Sequence, residues 1–161
     1  MANKKDLSYF MHSTEPEIVK YPAPEGFNDK TGKRLELEFR ILSESELRTI
    51  RNHWRERKLI KDHGRPMVVN GAPVYDETYD SGSALQEMLV ESLVYPDLKD
   101  EDLMAYYGVV DANEMPSKVF PKFKDLNYVS RAFNIIHGFM EEDEDEEEGE
   151  KKPNDVDVAK N

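Results

Sequence analysis

The 161-residue sequence predicts an α+β fold, mostly helical: an N-terminal β-hairpin followed by a small helical bundle, with a disordered acidic C-terminal tail. Three observations carry that prediction. Leu35, Leu37, Phe39 and Ile41 alternate with Glu36, Glu38 and Arg40, the period of a half-buried strand. Ser43-Glu44-Ser45-Glu46 opens the first of several stretches with helical spacing. From Glu141 to Glu150 every residue but Gly149 is acidic, and such a run repels itself and has no apolar area to bury. The expected organisation is a flexible segment with a short apolar motif over 1–16, one α+β domain over 17–140, and a disordered tail over 141–161.

Within the first segment, Leu7-Ser8-Tyr9-Phe10-Met11 is an apolar island between charged and polar stretches. It either folds back on the core or serves as a linear docking segment. Ile18-Val19-Lys20-Tyr21 reads as a strand stopped by Pro22 and Pro24, and Asn28-Asp29-Lys30-Thr31-Gly32 has turn chemistry. The alternating strand at 35–41 then pairs antiparallel with it. A lone pair of strands is marginal in water, so its apolar face must pack on helices.

Reciprocal bonds between Ser43 and Glu46 start a helix expected to run to about residue 61, with Leu47, Ile50 and Trp54 as its apolar stripe. Arg48, Arg51, Arg55 and Lys58 share the flank beside it, at spacings of three, four and three. His63-Gly64-Arg65-Pro66 breaks the helix. Asn70-Gly71 between apolar residues is a strong hairpin signal, although Pro73 has no amide for a ladder. A second helix is expected from residue 80 or 81 to residue 94, ended by Pro96. Asp100 caps a short helix Glu101–Tyr107 that Gly108 closes. A helical turn is expected near 114–120. Phe123, Leu126, Val129, Phe133, Ile136 and Met140 give the last helix a long buried stripe. No internal repeat stands out.

The formal charge of −12 is unevenly placed, because residues 141–161 carry 11 acidic and 3 basic residues. That balance argues against nucleic acid or a membrane surface as partner. The absence of cysteine excludes disulfides and thiolate chemistry, and no apolar run reaches bilayer length. The natural expectation is a soluble cytoplasmic protein. No histidine or carboxylate pattern has metal-ligand spacing, and no phosphate-binding or nucleophile motif is present. The reading is therefore of a non-enzymatic protein with no cofactor and no metal. Asp80-Ser81-Gly82-Ser83 reads as a helix N-cap rather than a reactive loop. The stripe Arg48, Arg51, Arg55 and Lys58 is either a solvated helix face or a surface for an acidic partner, the chain's own tail included.

The stretch Tyr95-Pro96-Asp97-Leu98, then Asp102-Leu103 and Tyr106-Tyr107-Gly108-Val109, holds more tyrosine than a helix corner needs. Together with the 7–11 island, Gly26-Phe27-Asn28-Asp29, the strand entering the capped helix, and the amphipathic last helix, it resembles the XkdN-like tail assembly chaperones of long-tailed bacteriophages. The resemblance covers most of residues 7–139, and its most specific piece is the Pro-Asp-Leu corner with the following Tyr-Gly. It implies a small protein made in the host bacterial cytoplasm and absent from the mature virion. Its partners would be the phage tape measure protein, and further the tail tube protein and a frameshifted longer form of itself. Rival readings are a structural tail completion or connector component, and an acidic host-directed inhibitor.

Under the resemblance, Leu7, Tyr9, Phe10, Met11, Tyr95, Leu98, Tyr106 and Tyr107 are the expected partner-binding residues. Tyrosine and phenylalanine offer contact area at low entropic cost, and methionine adapts to varied apolar surfaces. Each also suits ordinary core packing, the favoured reading for Leu98.

Overall fold

The computed structural model of the chain describes residues 4–142. A single 3-10 turn, Ser8–Phe10, precedes strand β1 (Ile18–Pro22) and strand β2 (Glu36–Arg40). These pair antiparallel, with Val19 opposite Phe39 and Tyr21 opposite Leu37. Leu37 and Phe39 are buried, as the alternation requires. Helix α1 follows over Glu44–His53.

Next come six short strands: β3 (Arg55–Leu59), β4 (Lys61–Asp62), β5 (Arg65–Pro66), β6 (Val68–Val69), β7 (Ala72–Pro73) and β8 (Tyr75–Tyr79). Helix α2 (Ser81–Ser92) runs directly into strand β9 (Leu93–Tyr95). Helices α3 (Glu101–Tyr107), α4 (Met115–Val119) and α5 (Phe123–Ile136) complete the described chain.

The α+β class stands, but a mostly helical hairpin-plus-bundle layout does not. The body is a three-stranded sheet, ordered β1-β2-β9, with helices gathered around α2. That helix meets α1, α4, α5, β2 and β9, and it supplies Ala84, Met88, Leu89 and Val90 to the core. Phe39, Leu98, Met115, Phe120, Val129 and Phe133 join them with essentially no exposure.

Local capping chemistry sets four of the helix starts and stops. The Ser43 hydroxyl accepts from the Glu46 amide, and the Glu46 carboxylate accepts from the Ser43 amide at 2.8 Å. The Asp80 carboxylate accepts from the Ser83 amide at 3.0 Å and opens α2. Asp100 accepts from Leu103 at 2.9 Å and opens α3, which Gly108 ends at φ +66°. That dihedral suits glycine, which lacks the Cβ clash of a left-handed residue.

Three expected boundaries moved. The helix expected to reach residue 61 stops at His53, because Trp54 turns to serve the tertiary structure. Its indole N–H donates to the Glu87 carboxylate on α2, and its carbonyl accepts from the Asp80 amide. The expected second helix loses residues 93–94 to β9. Leu93 pairs there with Phe39 and Tyr95 with Glu38, across a bulge. The last helix ends at Ile136 rather than reaching Met140, because Gly138 at φ +75° turns the chain and lets the Phe139 amide donate to the Asn134 carbonyl.

Strands β3 to β8 form a β-arm standing off the body. Its stem pairs Arg55 with Tyr79 through Leu59 with Tyr75. Above the stem, the β4–β5 and β6–β7 hairpins turn at His63-Gly64 and Asn70-Gly71, all four residues at positive φ. Two consecutive positive φ values are the type I′ geometry favoured by Asn-Gly. At the junction, the Ile60 amide donates to Val74 O (3.0 Å), Val74 to Met67 O (2.9 Å), and Met67 to Ile60 O (2.8 Å). This closed ring of three bonds joins the stem and the two hairpins. Its members are seven residues apart, and the sequence repeats accordingly: Ile60-Lys-Asp-His-Gly-Arg-Pro, then Met67-Val-Val-Asn-Gly-Ala-Pro, then Val74. The expectation of no internal repeat is therefore corrected: two short units built on a shared Gly-x-Pro build the arm.

Candidate interaction surface

The expected binding residues divide by exposure. On the N-terminal turn, Tyr9, Phe10 and Met11 are 78%, 76% and 76% exposed, and Leu7 is exposed as well. The turn is held locally, by the Ser8 amide on the Asp6 carboxylate and the Phe10 amide on the Leu7 carbonyl. Of the two possibilities for this island, folding back on the core is not what the structure shows.

At the corner, Leu98 has no exposure at all, so as a contact residue it is withdrawn: it belongs to the hydrophobic core, the reading favoured for it. Tyr106 is 80% exposed. Tyr107 is half-buried against the core and meets Tyr106 edge to face, with centroids 5.0 Å apart. Tyr95 is half exposed and lines a dry crevice of about 140 Å³ with Phe27, Leu37, Pro96 and Phe120. Tyr95, Tyr106 and Tyr107 thus hold three different positions, rim, surface and margin, rather than one patch.

The basic stripe is broken by the early end of α1. Arg48 stays on α1 and pairs with Glu44 at 3.4 Å, while Arg51 lies over the Phe139 ring at 5.5 Å. Arg55 and Lys58 belong to β3 on the arm, where Arg55 lies over Tyr79 and Lys58 approaches Glu56 at 3.5 Å. Four residues expected on one helical flank are spread over two elements.

The expected Asn70-Gly71 hairpin is present, but reading by helical periodicity missed the stem strand β3 and the β4–β5 hairpin. Ile60, Met67, Val68 and Val69 are exposed on the arm, and among the described residues no second layer covers the ribbon. The Gly-x-Pro repeat was the available signal. Val110 and Phe123, next to the ends of α3 and α5, are also almost fully exposed.

Among the described residues, no group of three or more His, Asp or Glu could hold a metal ion. No described helix is long and apolar enough to cross a membrane. Electrostatics act on structure rather than chemistry. The Ser43 amide, then Arg40, hold the Glu46 carboxyl below its usual range. Burial pulls the His137 pKa down. Its Nε2 accepts from the Leu42 amide at 2.9 Å and its Nδ1 donates to the Phe133 carbonyl at 2.9 Å. The neutral ring therefore bridges two elements.

A small α+β body that presents aromatic and aliphatic side chains on an N-terminal turn, a helix corner and a projecting arm has the build of a protein that binds other proteins. The chain belongs to the phage XkdN-like tail assembly chaperone family, whose model matches residues 7–151. It is 27% identical over 152 residues to the phage-like element PBSX protein XkdN of Bacillus subtilis strain 168, covering 92% of this chain and 95% of that one. It is 28% identical over 149 residues to the uncharacterized protein YqbN of the same strain, covering 91% and 93%. The crystal structure of YqbN shares the fold, with a TM-score of 0.65 over 86% of this chain and all of that one, at 21% identity. The family resemblance read from the corner and its flanking motifs is thereby borne out.

Proposed function

We propose that this chaperone binds the tape measure protein of a phage tail before assembly and helps bring tail tube subunits to it. The supporting observation is the exposure of consecutive Tyr9, Phe10 and Met11 beside the family membership. A long helical client exposes an apolar stripe until a tube encloses it. Covering that stripe takes adaptable apolar side chains on pliable supports, and methionine and aromatic residues supply both. Tyr106, Tyr95 and the exposed edge of Tyr107 offer separate further contacts, and Leu7 adds to those of the turn. The net charge of −12 keeps the loaded complex dispersed.

This role places the protein in the host bacterial cytoplasm during assembly and outside the finished particle. The test is co-expression with the tape measure protein, comparing the wild type with the Tyr9→Ser/Phe10→Ser variant. The client should stay soluble with the wild type and precipitate with the variant, whose own fold is checked by circular dichroism. Equal client solubility with both proteins would remove the N-terminal turn from the reading. Mass spectrometry of purified particles separates the chaperone from a virion component, because a chaperone should be missing there.

A further inference from the structure

The two units of the arm share a backbone geometry but not a chemistry. The β4–β5 unit carries Lys61, Asp62, His63 and Arg65, whereas the stretch from Pro66 to Tyr75, which holds the β6–β7 hairpin, has no charged residue. His63-Gly64 and Asn70-Gly71 stand at the same place in the repeat, all at positive φ. Only the second turn has a carboxamide, and Asn70 is the chain's one asparagine followed by glycine.

The surroundings leave that pair free to react. Both residues are exposed. Among the described residues, the Gly71 amide donates to no carbonyl and the Asn70 side chain has no partner. A Cβ built on Gly71 meets nothing within 4 Å, so neither a side chain nor a neighbour screens its nitrogen. The closed turn holds Asn70 in one backbone well, and attack on its side chain needs rotation out of that well. Only two residue pairs resist the rotation, and one of them contains Pro73, which has no amide. An isolated hairpin is marginal in water, so opening is cheap. The other described asparagines differ. Asn52, Asn127 and Asn134 lie within α1 and α5, where the next amide belongs to the helical ladder. Asn28 and Asn113 precede Asp29 and Glu114, whose side chains crowd the attacking nitrogen.

We propose that Asn70 is a self-modification site, which converts to aspartate and isoaspartate through a cyclic imide formed with Gly71. The deprotonated Gly71 nitrogen attacks Asn70 Cγ. That N–Cγ bond forms and the Cγ–Nδ2 bond breaks. Ammonia leaves, carrying a solvent proton in place of the one the glycine amide lost. Solvent water then opens the ring at either carbonyl, and nothing is oxidised. One opening leaves aspartate. The other leaves isoaspartate, whose main chain runs through Cγ and is longer by a methylene. Either product puts a carboxylate into the uncharged hairpin. The longer main chain also cannot keep the two-residue turn closed by the Val69–Ala72 pair. The bonds of Val74 and Met67 at the foot of the hairpin loosen with it.

The test keeps the full chain warm over a series of neutral to mildly alkaline pH values. Trypsin does not cut at Arg65-Pro66, so residues 62–99 form one peptide whose only asparagine is Asn70. That peptide should gain one mass unit, placed by fragmentation on residue 70 rather than on Gln86. The rate should rise in proportion to hydroxide, and an isoaspartyl methyltransferase should label the product. Peptides carrying the other described asparagines should stay unchanged over the same time, and Asn70→Ser should remove the gain. In the aged chain the Met67 and Val74 amides should exchange faster, with those of β1–β2 unchanged. No gain at residue 70, an equal gain at the other asparagines, or a rate independent of pH overturns the proposal. A gain without isoaspartate overturns the cyclic imide, and unaltered Met67 and Val74 exchange overturns the loosening of the tip. The pH series uses the unmutated chain, so it decides the question even if Asn70→Ser disturbs the turn.

Discussion

At the scale of single residues, His137 ties the end of α5 to the start of α1. Its unprotonated Nε2 is the acceptor for the Leu42 amide, so protonation there removes the bond. Its folded pKa lies below the ordinary 6.5 because of burial. A base with a depressed folded pKa contributes stability that is complete above its unfolded pKa and is lost as pH falls through the folded one. Denaturation midpoints of the wild type should therefore decline below about pH 6.5. His137→Phe should cost about 1–3 kcal/mol at neutral pH, since the Leu42 amide loses its partner, and should flatten that decline. An unchanged pH profile in the variant would mean that the ring does not carry the dependence. The corner residues separate as cleanly. Leu98→Ala should lose about 2–5 kcal/mol in urea unfolding, the usual cost of truncating a core leucine. Tyr106→Ser should stay within about 0.5 kcal/mol, as an exposed side chain does, while weakening capture of the tape measure protein.

At the scale of elements, the capping box of α1 and the turns of the arm make predictions of their own. The Glu46 pKa is lowered by the Ser43 amide first and Arg40 second. Its contribution is present above the ordinary 4.5 and disappears as pH falls through the lower folded value. Ser43→Ala should cost about 1 kcal/mol near neutrality and reduce the steepness of acid unfolding below pH about 4.5. On the arm, Gly71 sits at φ +79°, where a Cβ is strained although nothing else stands within 4 Å of it. Gly71→Ala should cost about 1 kcal/mol locally. Hydrogen exchange should show it as faster exchange of the Val74 and Met67 amides, with the β1–β2 amides unchanged. Faster exchange throughout would mean that arm and body unfold together. These elements also show how legibility varied. Capping boxes, Asx caps and Asn-Gly turns are written within four residues, and the structure has them at the expected positions. The end of α1 was misread because Arg55, Glu56, Arg57 and Lys58 are acceptable helix formers. What stops the helix is Glu87, 33 residues beyond Trp54, receiving its indole N–H. Strand β9 was hidden for a similar reason: Leu93 pairs with Phe39, and no local pattern announces it.

At the scale of the whole molecule, a body packed around α2 carries two segments with no buried residue, the N-terminal turn and the arm. Local stability follows buried apolar contact, so the arm should open long before the body does. Limited trypsin digestion should cut first, within residues 17–140, at Arg57, Lys58 or Lys61. The two fragments should stay together on a sizing column, because α1 and α2 remain packed on each other. Separation of the fragments would show that the arm is part of the cooperative unit. The candidate surface was only partly legible at this scale. Tyr9, Phe10, Met11 and Tyr106 were identified from aromatic density and proved exposed, whereas Leu98 belonged to the same run and proved to be core. A run of apolar residues does not say which of them face inward until the neighbouring elements are placed.

The sequence by itself determined the family, the α+β class, the first hairpin and the helix caps, because each depends on chemistry between residues close in the chain. Tertiary structure alone decided where α1 stops, that β9 joins the sheet, and that the basic stripe divides between body and arm. Those outcomes depend on contacts between segments tens of residues apart, and burial competes there with local propensity and prevails.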